Sequence, residues 1–528
     1  MITAQESMTG FDAQVEAIFN QLSPNERVGQ LFIVTFDGIN TSETSDIARL
    51  IRDYRVGGVW LQKSNKLTEG GDENVALGMQ ALINNLQQYT FQAPIVATSE
   101  PITLTTAVTT TAPITVTDSV TLTEALASTE GTSPTEVISA TGTLSEALEV
   151  PLTPVPLFIA VAHEGNGYPH TLLSPQLTDV PSAMGLGATW NPDYAAQVGA
   201  IVGRELSALG VNMLFGPVLD VVDRPKPDVA GAVGIRAFGG DFYWVEMMGR
   251  AYIRGVHQGS EGNLLTIAKH FPGAGSIDRQ LNQDVPTIQK IAAALEQIEL
   301  PPFYAVTSLD ADNPGEITDG LMTAHIRYRG LQENVRELTQ PISLDAQNLP
   351  LILGSPQIAP WREQGGLIVS APLGAPAIVR TYTPEGGEFP AIQVARNAFL
   401  AGNDVLLLST FGPAGEVDTQ VNNIITVIEF FQDRYRTDSE FQQRVDAAVR
   451  RILQAKLGLY ETFTPEYVLR QPEALANLPN NADILNDIAR ASATLIFPSP
   501  AELAFRIPSP PLQDETILIF TDDRQDRL

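Results

Sequence analysis

The feature that most constrains the fold of this chain is a series of short apolar segments that recur along most of its length. Each segment is apolar at nearly every position rather than at alternate positions. Continuous apolar runs of this length are typical of strands in a parallel sheet, because such strands are buried on both faces. The eight predicted strands are Leu31–Phe36, Val56–Leu61, Leu157–Val161, Val211–Phe215, Leu264–Ala268, Leu321–Thr323, Leu367–Ser370 and Val405–Leu408.

The segments between these runs have the periodicity of amphipathic helices. One begins at Asn191-Pro192, where an N-cap residue is followed by proline at the first helical position, and Gly210 ends it. Another carries apolar residues at helical spacing from Val445 to Leu453. Eight strand–helix units predict an α/β protein with a closed (β/α)8 barrel of the TIM type rather than an open sheet.

The stretch from Thr98 to Thr153 interrupts this alternation. It contains 17 threonines and has no lysine, arginine or aromatic residue. Such a composition buries too little apolar surface to offset the entropy lost on ordering. We therefore predict a disordered or extended insertion at residues 95–155, which acts either as an O-glycosylated stalk or as a spacer without a function of its own.

The remaining domain boundaries follow from where the barrel pattern begins and stops. We expect the first two β/α units at residues 1–94 and the other units at residues 156–460. Residues 461–528 continue with a helical segment, a proline-rich link and the strand-like segment Thr516–Phe520. This part is predicted to be a linker and the start of a truncated or rudimentary second α/β domain.

The charge balance excludes some classes of partner. The chain has 32 Lys and Arg against 61 Asp and Glu, a formal net charge of −29. Such a surface repels nucleic acid, so we expect no nucleic acid partner. The absence of cysteine excludes disulfides, thiol nucleophiles and cysteine-ligated metals. With only five histidines and no ligand-spaced cluster, no metal site is predicted, and nothing in the sequence predicts a cofactor.

Nine short motifs resemble, in order, those of the N-terminal catalytic barrel of glycoside hydrolase family 3. The motif Ala268–Gly273 (AKHFPG) is the most specific of them, and Met322–His325 (MTAH) is most similar to bacterial β-N-acetylhexosaminidases. The other seven are Val28–Leu31, Gly57–Val59, Pro156–Gly165, Gly216–Val221, Ile235–Gly239, Pro341–Leu344 and Asn397–Asp404. The resemblance implies a (β/α)8 barrel that acts on O-glycosyl bonds in carbohydrate metabolism or on cell-wall sugars.

The positions that the family uses for catalysis are occupied by residues that lack the chemistry. A retaining glycosidase needs a nucleophilic carboxylate and a second group that acts as acid and base. The position of the family's nucleophile after the seventh strand holds Ala371. In the loop after the fifth strand, the acid/base position holds Asn282 and its partner position holds Gln280. The family's sugar-binding aspartate after the third strand is Ala162.

Part of the family's sugar-binding set is present. Arg236, Lys269 and His270 match residues that hydrogen-bond a sugar in the first subsite, and Asp220 is a further candidate. The alternative for Lys269 and His270 is a packing role at the end of the fifth strand, and for Asp220 a structural role in its turn is favoured. The partner that the resemblance implies is a carbohydrate, either a β-linked glycoside or a fragment that contains N-acetylglucosamine.

Three hypotheses follow. The chain is an active exo-acting β-glycosidase with displaced catalytic groups, a silent relative whose barrel binds a sugar, or a structural or interaction domain. The empty catalytic positions favour the second hypothesis. For the first, replacement carboxylates are sought among Glu164, Asp241, Asp278 and Asp284, with His163 as a proton shuttle.

The sequence leaves the location and assembly of the protein open. No apolar stretch reaches the ~18 residues that a membrane-spanning helix needs. The residues from Met1 to Gln21 show no basic start followed by an apolar run, so no export signal is visible. A bacterial cytoplasmic location and export with a hidden signal both stay possible, and no oligomeric state is predicted.

Overall fold

The computed structural model consists of two units, Gln92–Thr153 and the rest of the chain. The residues it describes are 4–65, 75–93, 105–106, 123–124, 153–166, 171, 177–224, 233–277, 279, 284–309, 313–332, 334–336, 338–383, 387–412, 416–494, 499, 501–502 and 505. In the smaller unit, Thr105–Thr106 pairs in parallel with Thr123–Glu124. The predicted disorder of the threonine-rich insertion otherwise lies outside the described residues.

Eight parallel strands form a barrel in the larger unit, and all eight apolar runs are confirmed as its strands. Successive strands pair in chain order, the last strand pairs with the first, and a bridge between Val369 and Val405 joins the seventh strand to the eighth. Nearly every strand residue is buried, which explains the continuous apolar pattern. The strands are β1 (Phe32–Val34), β2 (Gly58–Trp60), β3 (Phe158–Val161), β4 (Met213–Leu214), β5 (Leu265–Phe271), β6 (Gly320–Thr323), β7 (Leu367–Ser370) and β8 (Leu406–Leu408).

Helices surround the barrel and follow most of its strands. The α-helices are α1 (Ala4–Gln21), α2 (Pro24–Gly29), α3 (Asp46–Arg52), α4 (Val75–Gln88), α5 (Ala183–Gly187), α6 (Pro192–Leu209), α7 (Phe242–Gly259), α8 (Ala292–Ala294), α9 (Pro301–Thr307), α10 (Leu349–Leu353), α11 (Ala359–Glu363), α12 (Pro376–Tyr382), α13 (Ala391–Ala401), α14 (Val417–Thr437), α15 (Ser439–Leu459), α16 (Pro465–Val468), α17 (Glu473–Ala476) and α18 (Ala482–Ser492). A π-helical turn (Leu295–Glu299) lies between α8 and α9. No described helix combines the length and the apolar character that crossing a membrane requires.

The predicted ends of α6 are confirmed. Asn191 accepts a hydrogen bond from the Asp193 amide, Pro192 is the first residue, and Gly210 ends the helix at φ 96°. Glycines also bring α6 and α7 into close contact. A Cβ atom at Gly203 would lie 2.3 Å from the Val256 carbonyl oxygen, so a larger residue there would force the two helices apart.

A buried carboxylate joins β7, β8 and two helices at the amino ends of the strands. Asp404 lies just before β8 and is fully buried. Its carboxylate accepts hydrogen bonds from the Ile368 amide and from three arginines, Arg362, Arg444 and Arg451. The shortest of the arginine contacts is 2.7 Å, from Arg362 Nη1. Burial opposes its ionisation, but the three guanidinium groups outweigh burial and lower the pKa of Asp404 to about 2. We call these four side chains the Asp404 cluster.

The helices after α15 pack on the barrel helices through polar contacts. Asn481 donates hydrogen bonds to Thr178 and Glu205, and Asn84 on α4 bonds to the backbone of Arg470 in both directions. The predicted strand Thr516–Phe520 lies outside the described residues, so the expected start of a second domain stays a prediction.

Candidate functional site

The carboxyl ends of the eight strands meet on one face of the barrel, which we call the mouth. (β/α)8 barrels place their functional side chains on this face. Glu164 follows β3, Lys269 and His270 lie at the end of β5, and Ala371 directly follows β7. Arg236 ends a short 3₁₀ turn in the connection between β4 and α7. The fold therefore brings residues that are distant in sequence to a common face.

Glu164 lies between two of the predicted sugar-binding cations. Its Oε1 is 2.5 Å from Lys269 Nζ, and its Oε2 is 3.4 Å from Arg236 Nη1. Burial raises the pKa of such a carboxyl, but Lys269 and Arg236 outweigh burial and lower the pKa of Glu164 to about 2. We call these three side chains the Glu164 cluster. From the sequence, Glu164 is a candidate replacement nucleophile, but in the structure it forms ion pairs with two cations.

His270 and Asp220 form a second pair beside this cluster. Asp220 Oδ2 is 2.7 Å from His270 Nδ1, and Asp220 Oδ1 accepts hydrogen bonds from the amides of His270 and Ala274. Asp220 is completely buried, whereas 14% of the His270 side chain is exposed. Asp220 therefore orients the imidazole and the chain after β5, and His270 is the member of the pair that solvent reaches.

Ala371 presents only a methyl group at the end of β7. Its amide donates to the Thr323 carbonyl oxygen at 3.1 Å, and 8% of the residue is exposed. The next residue, Pro372, offers its carbonyl oxygen to His325 Nε2 at 3.0 Å. The backbone at this position is thus held as part of the barrel, while the side chain has no atom that can attack a sugar or stabilise its positive charge.

Buried polar contacts support the backbone around Ala371. His325 Nδ1 lies 2.7 Å from the Ser343 hydroxyl, and Asn403 bonds both to the Ser343 carbonyl oxygen and to the Thr323 hydroxyl. Burial outweighs the hydrogen bond to Pro372 and lowers the pKa of His325 to about 4. His325 is therefore a neutral imidazole at pH 7 that connects the ends of β6 and β7.

The first residues of the loop after β5 are held in place by packing and by a hydrogen bond. The Ser276 hydroxyl donates to Glu299 Oε1 at 2.7 Å, and a Cβ atom at Gly275 would lie 1.8 Å from the Val221 carbonyl oxygen. Both expected acid/base positions, Gln280 and Asn282, lie outside the described residues. So does Asp278, one of the replacement carboxylates considered above.

The other replacement groups have identifiable local roles. Asp241 is the N-cap of α7 and accepts from the amides of Tyr243 and Trp244, while Asp284 pairs with Arg279 at 2.7 Å. His163 is buried beside a cavity of about 30 Å3, and its Nδ1 has no hydrogen-bond partner. Burial outweighs the attraction of Glu164 and lowers the pKa of His163 to about 4. Within the described ranges, no cluster of histidine and acidic side chains is arranged to hold a metal ion.

The fold is a (β/α)8 barrel with charged and polar side chains gathered at its mouth. The family model for the glycosyl hydrolase family 3 N-terminal domain matches residues 118–455, more than half of the chain. The chain belongs to glycoside hydrolase family 3, as its motifs indicate.

Two of the proteins to which the chain is similar are β-hexosaminidases. The chain is 30% identical to β-hexosaminidase A of Pseudoalteromonas piscicida over 197 residues. This aligned region covers 37% of this chain and 31% of that protein. The chain is 31% identical to a β-hexosaminidase of Xylella fastidiosa over 182 residues. This aligned region covers 33% of this chain and 49% of the relative. The chain thus matches about a third to a half of the length of these relatives.

Solved structures show the same fold. A family 3 β-N-acetylglucosaminidase from Paenibacillus sp. superposes with a TM-score of 0.61 at 22% identity, over 89% of this chain and 69% of that one. A β-N-acetylhexosaminidase from Beutenbergia cavernae superposes with a TM-score of 0.56 at 21% identity. The superposition covers 82% of this chain and 98% of that one. At these identities the likeness shows the fold alone.

Proposed function

We propose that this family 3 barrel binds a sugar at its mouth but hydrolyses glycosides poorly or not at all. The observation that carries the proposal is Ala371 at the end of β7, where a retaining family member needs a carboxylate. Loss of a central catalytic group typically reduces turnover by several orders of magnitude. A methyl group offers neither a nucleophile nor a negative charge.

The neighbouring carboxylates are poor replacements for that nucleophile. Glu164 already accepts from Lys269 and Arg236, so attack on a sugar would require both ion pairs to weaken. Asp220 is fully buried and accepts three hydrogen bonds, two from backbone amides. Each group stabilises the mouth in its present form and is held away from the role of a free nucleophile.

The same side chains are suited to holding sugar hydroxyls. The exposed fractions of the Arg236 and His270 side chains are 20% and 14%, so both present donors to solvent beside the Glu164 carboxylate. Donors and acceptors that lie side by side and are mostly shielded from solvent match the hydroxyls of a pyranose. Similarity to β-hexosaminidases supports an N-acetylglucosamine-containing glycoside as the ligand.

The experiment compares hydrolysis of 2,4-dinitrophenyl β-glycosides, including the N-acetylglucosaminide and the glucoside, by the wild type, Ala371→Asp and Ala371→Asn. This leaving group departs without protonation, so a missing general acid does not mask a restored nucleophile. We expect no turnover above background for the wild type and Ala371→Asn, and a gain of about 10-fold or more for Ala371→Asp.

Ordinary turnover by the wild type that Ala371→Asp leaves unchanged would overturn the proposal, because another carboxylate would then be the nucleophile. Sugar binding by the wild type and by Arg236→Gln is measured separately by ligand-observed NMR. Weaker N-acetylglucosamine binding in Arg236→Gln than in the wild type is expected, and equal binding would remove the Glu164 cluster from the proposed site.

A further inference from the structure

Exposed aromatic side chains gather on one part of the rim of the mouth. Trp190 is 61% exposed and Tyr243 is 52% exposed, and both rings contact the ring of Trp244. Trp190 lies just before the N-cap of α6, whereas Tyr243 and Trp244 lie in the first turn of α7. Both helices run back along the barrel from the carboxyl ends of strands, so their amino ends lie at the mouth. We call Trp190, Tyr243 and Trp244 the aromatic platform.

Trp244 holds the two exposed rings of the platform in place. It is partly buried and packs on the core of the barrel. The Trp190 ring meets it at a centroid distance of 5.1 Å and an interplanar angle of 80°, and the Tyr243 ring meets it at 5.5 Å and 78°. Edge-to-face pairs of this geometry are favourable. The platform is therefore ordered without a ligand, which lowers the entropy lost when a ligand binds.

The backbone of Trp190 has an unusual conformation for a large side chain. Its φ is 53°, in the left-handed region, and its amide donates to the Gly187 carbonyl oxygen at 3.1 Å. A glycine or an asparagine adopts this conformation at a lower cost, and a tryptophan that is mostly exposed adds little to the core. Residues held in such conformations cluster at ligand-binding sites, so this conformation supports a binding role for Trp190.

The aromatic platform is connected to the Glu164 cluster through the end of α5. This helix packs on the turn that carries Arg236, and the Phe238 carbonyl oxygen leaves no room for a Cβ atom at Gly187. Phe238 is two residues after Arg236, and Trp190 is three residues after Gly187. At ~3.5 Å per residue, these short links place the Trp190 backbone within about 25 Å of the Arg236 backbone. The platform is thus within reach of an oligosaccharide that begins at the Glu164 cluster.

The exposed area of the platform suits a saccharide better than a protein partner. A whole aromatic side chain offers ~150–250 Å2, so Trp190, Tyr243 and the neighbouring Phe242, which is 41% exposed, offer at most about 400 Å2 in all. A stable protein interface buries about 800 Å2 on each partner. A patch of about 400 Å2 is half of that area, and patches of this size on a monomer are often functional.

We propose that the aromatic platform binds pyranose rings of a neutral β-linked oligosaccharide that contains N-acetylglucosamine and whose end lies at the Glu164 cluster. A pyranose has a face of C–H groups and carries its hydroxyls at the edge. The C–H face packs on an aromatic ring, and tryptophan and tyrosine also supply an N–H and a hydroxyl for the polar edge. The identity of the sugar rests on the proposed function, whereas the need for aromatic rings rests on the platform itself.

The test is calorimetric titration of the full chain with N-acetylglucosamine and with its β-1,4-linked pentamer. The platform variants are Trp190→Ala and Tyr243→Ala, and Trp190→Phe keeps an aromatic ring at the first position. The matched control is Tyr467→Ala, which removes a ring that is 42% exposed on α16. Near Tyr467, the backbone of Arg470 bonds to Asn84 in the second half of α4, away from the mouth.

We expect the pentamer to bind the wild type more tightly than N-acetylglucosamine does. Trp190→Ala and Tyr243→Ala are each expected to bind the pentamer about 10-fold more weakly and to bind N-acetylglucosamine as the wild type does. Trp190→Phe and Tyr467→Ala are expected to stay within about 3-fold of the wild type for both ligands.

Equal pentamer affinity in the wild type and both alanine variants of the platform would overturn the inference, and so would an equal loss in Tyr467→Ala. The same proteins are examined by sedimentation velocity. A wild-type dimer that Trp190→Ala dissociates would also overturn it, because a second copy of the chain would then cover the platform.

Failure of the proposed function gives a different pattern. N-acetylglucosamine then binds neither the wild type nor Arg236→Gln, while pentamer binding still falls when either platform ring is removed. Failure of the present inference leaves N-acetylglucosamine binding intact and dependent on Arg236, and makes pentamer binding independent of Trp190 and Tyr243.

Discussion

Replacing Asp404 with asparagine is expected to destabilise the protein by about 3–5 kcal/mol. Asp404 is fully buried and forms ion pairs with Arg362, Arg444 and Arg451, which belong to α11 and α15. An amide would leave these guanidinium groups without a counter-charge and would present a donor where an acceptor is needed. Since β7 and α15 both depend on this carboxylate, the loss affects the closure of the barrel.

Urea unfolding of the wild type, Asp404→Asn and Asp433→Asn measures this effect. Asp433 is exposed on α14, so its change to asparagine is expected to alter the free energy of unfolding by less than about 0.5 kcal/mol. If Asp404→Asn is obtained only as unfolded protein, its loss of stability exceeds the free energy of unfolding of the wild type, which agrees with the prediction. Equal unfolding midpoints for the two variants would contradict it.

The protein is expected to lose stability as the pH falls from 6.5 towards 4, by about 3 kcal/mol for each of two buried histidines. Burial lowers the pKa of both His163 and His325 from the ordinary 6.5 to about 4. Between these pH values the unfolded chain binds protons that the folded chain excludes. The stability that the neutral imidazoles contribute is therefore complete above pH 6.5 and is lost as the pH falls to 4.

Chemical unfolding at pH 7.0, 6.0, 5.0 and 4.5 tests this slope. The variants His163→Gln and His325→Gln are each expected to show about half of the wild-type loss. His257 is the control, because Asp319 and its hydrogen bonds outweigh burial and raise its pKa, so its contribution changes above pH 6.5. A wild-type free energy of unfolding that stays constant from pH 7.0 to 4.5 would contradict the prediction.

The barrel was predictable because the apolar pattern of its strands can be recognised in the sequence alone. A strand buried on both faces must be apolar throughout, so Phe158–Val161 and Leu406–Leu408 stand out from the helices around them. The ends of α6 were predictable for a similar reason, since Asn191, Pro192 and Gly210 act locally. Short strands such as Met213–Leu214 were extended too far, because flanking apolar residues pack in loops.

The candidate site was predictable residue by residue but not as an arrangement. The resemblance named Lys269, Arg236 and His270, yet periodicity and spacing contain no information that Glu164 would lie between the first two. The Asp404 cluster was missed altogether, because its arginines are separated by up to 89 positions from one another in the chain and become neighbours only through folding. The one available signal was the motif that ends at Asp404.

The central claim, that the mouth lacks a working nucleophile, is tested most directly by a fluorinated, activated N-acetylglucosaminide that traps the covalent glycosyl-enzyme. The intact mass of the protein is measured after incubation, with Ala371→Asp treated in parallel. We predict no added mass on the wild type and a single added glycosyl group on Ala371→Asp at position 371. A stoichiometric glycosyl adduct on a carboxylate of the wild type would contradict the account.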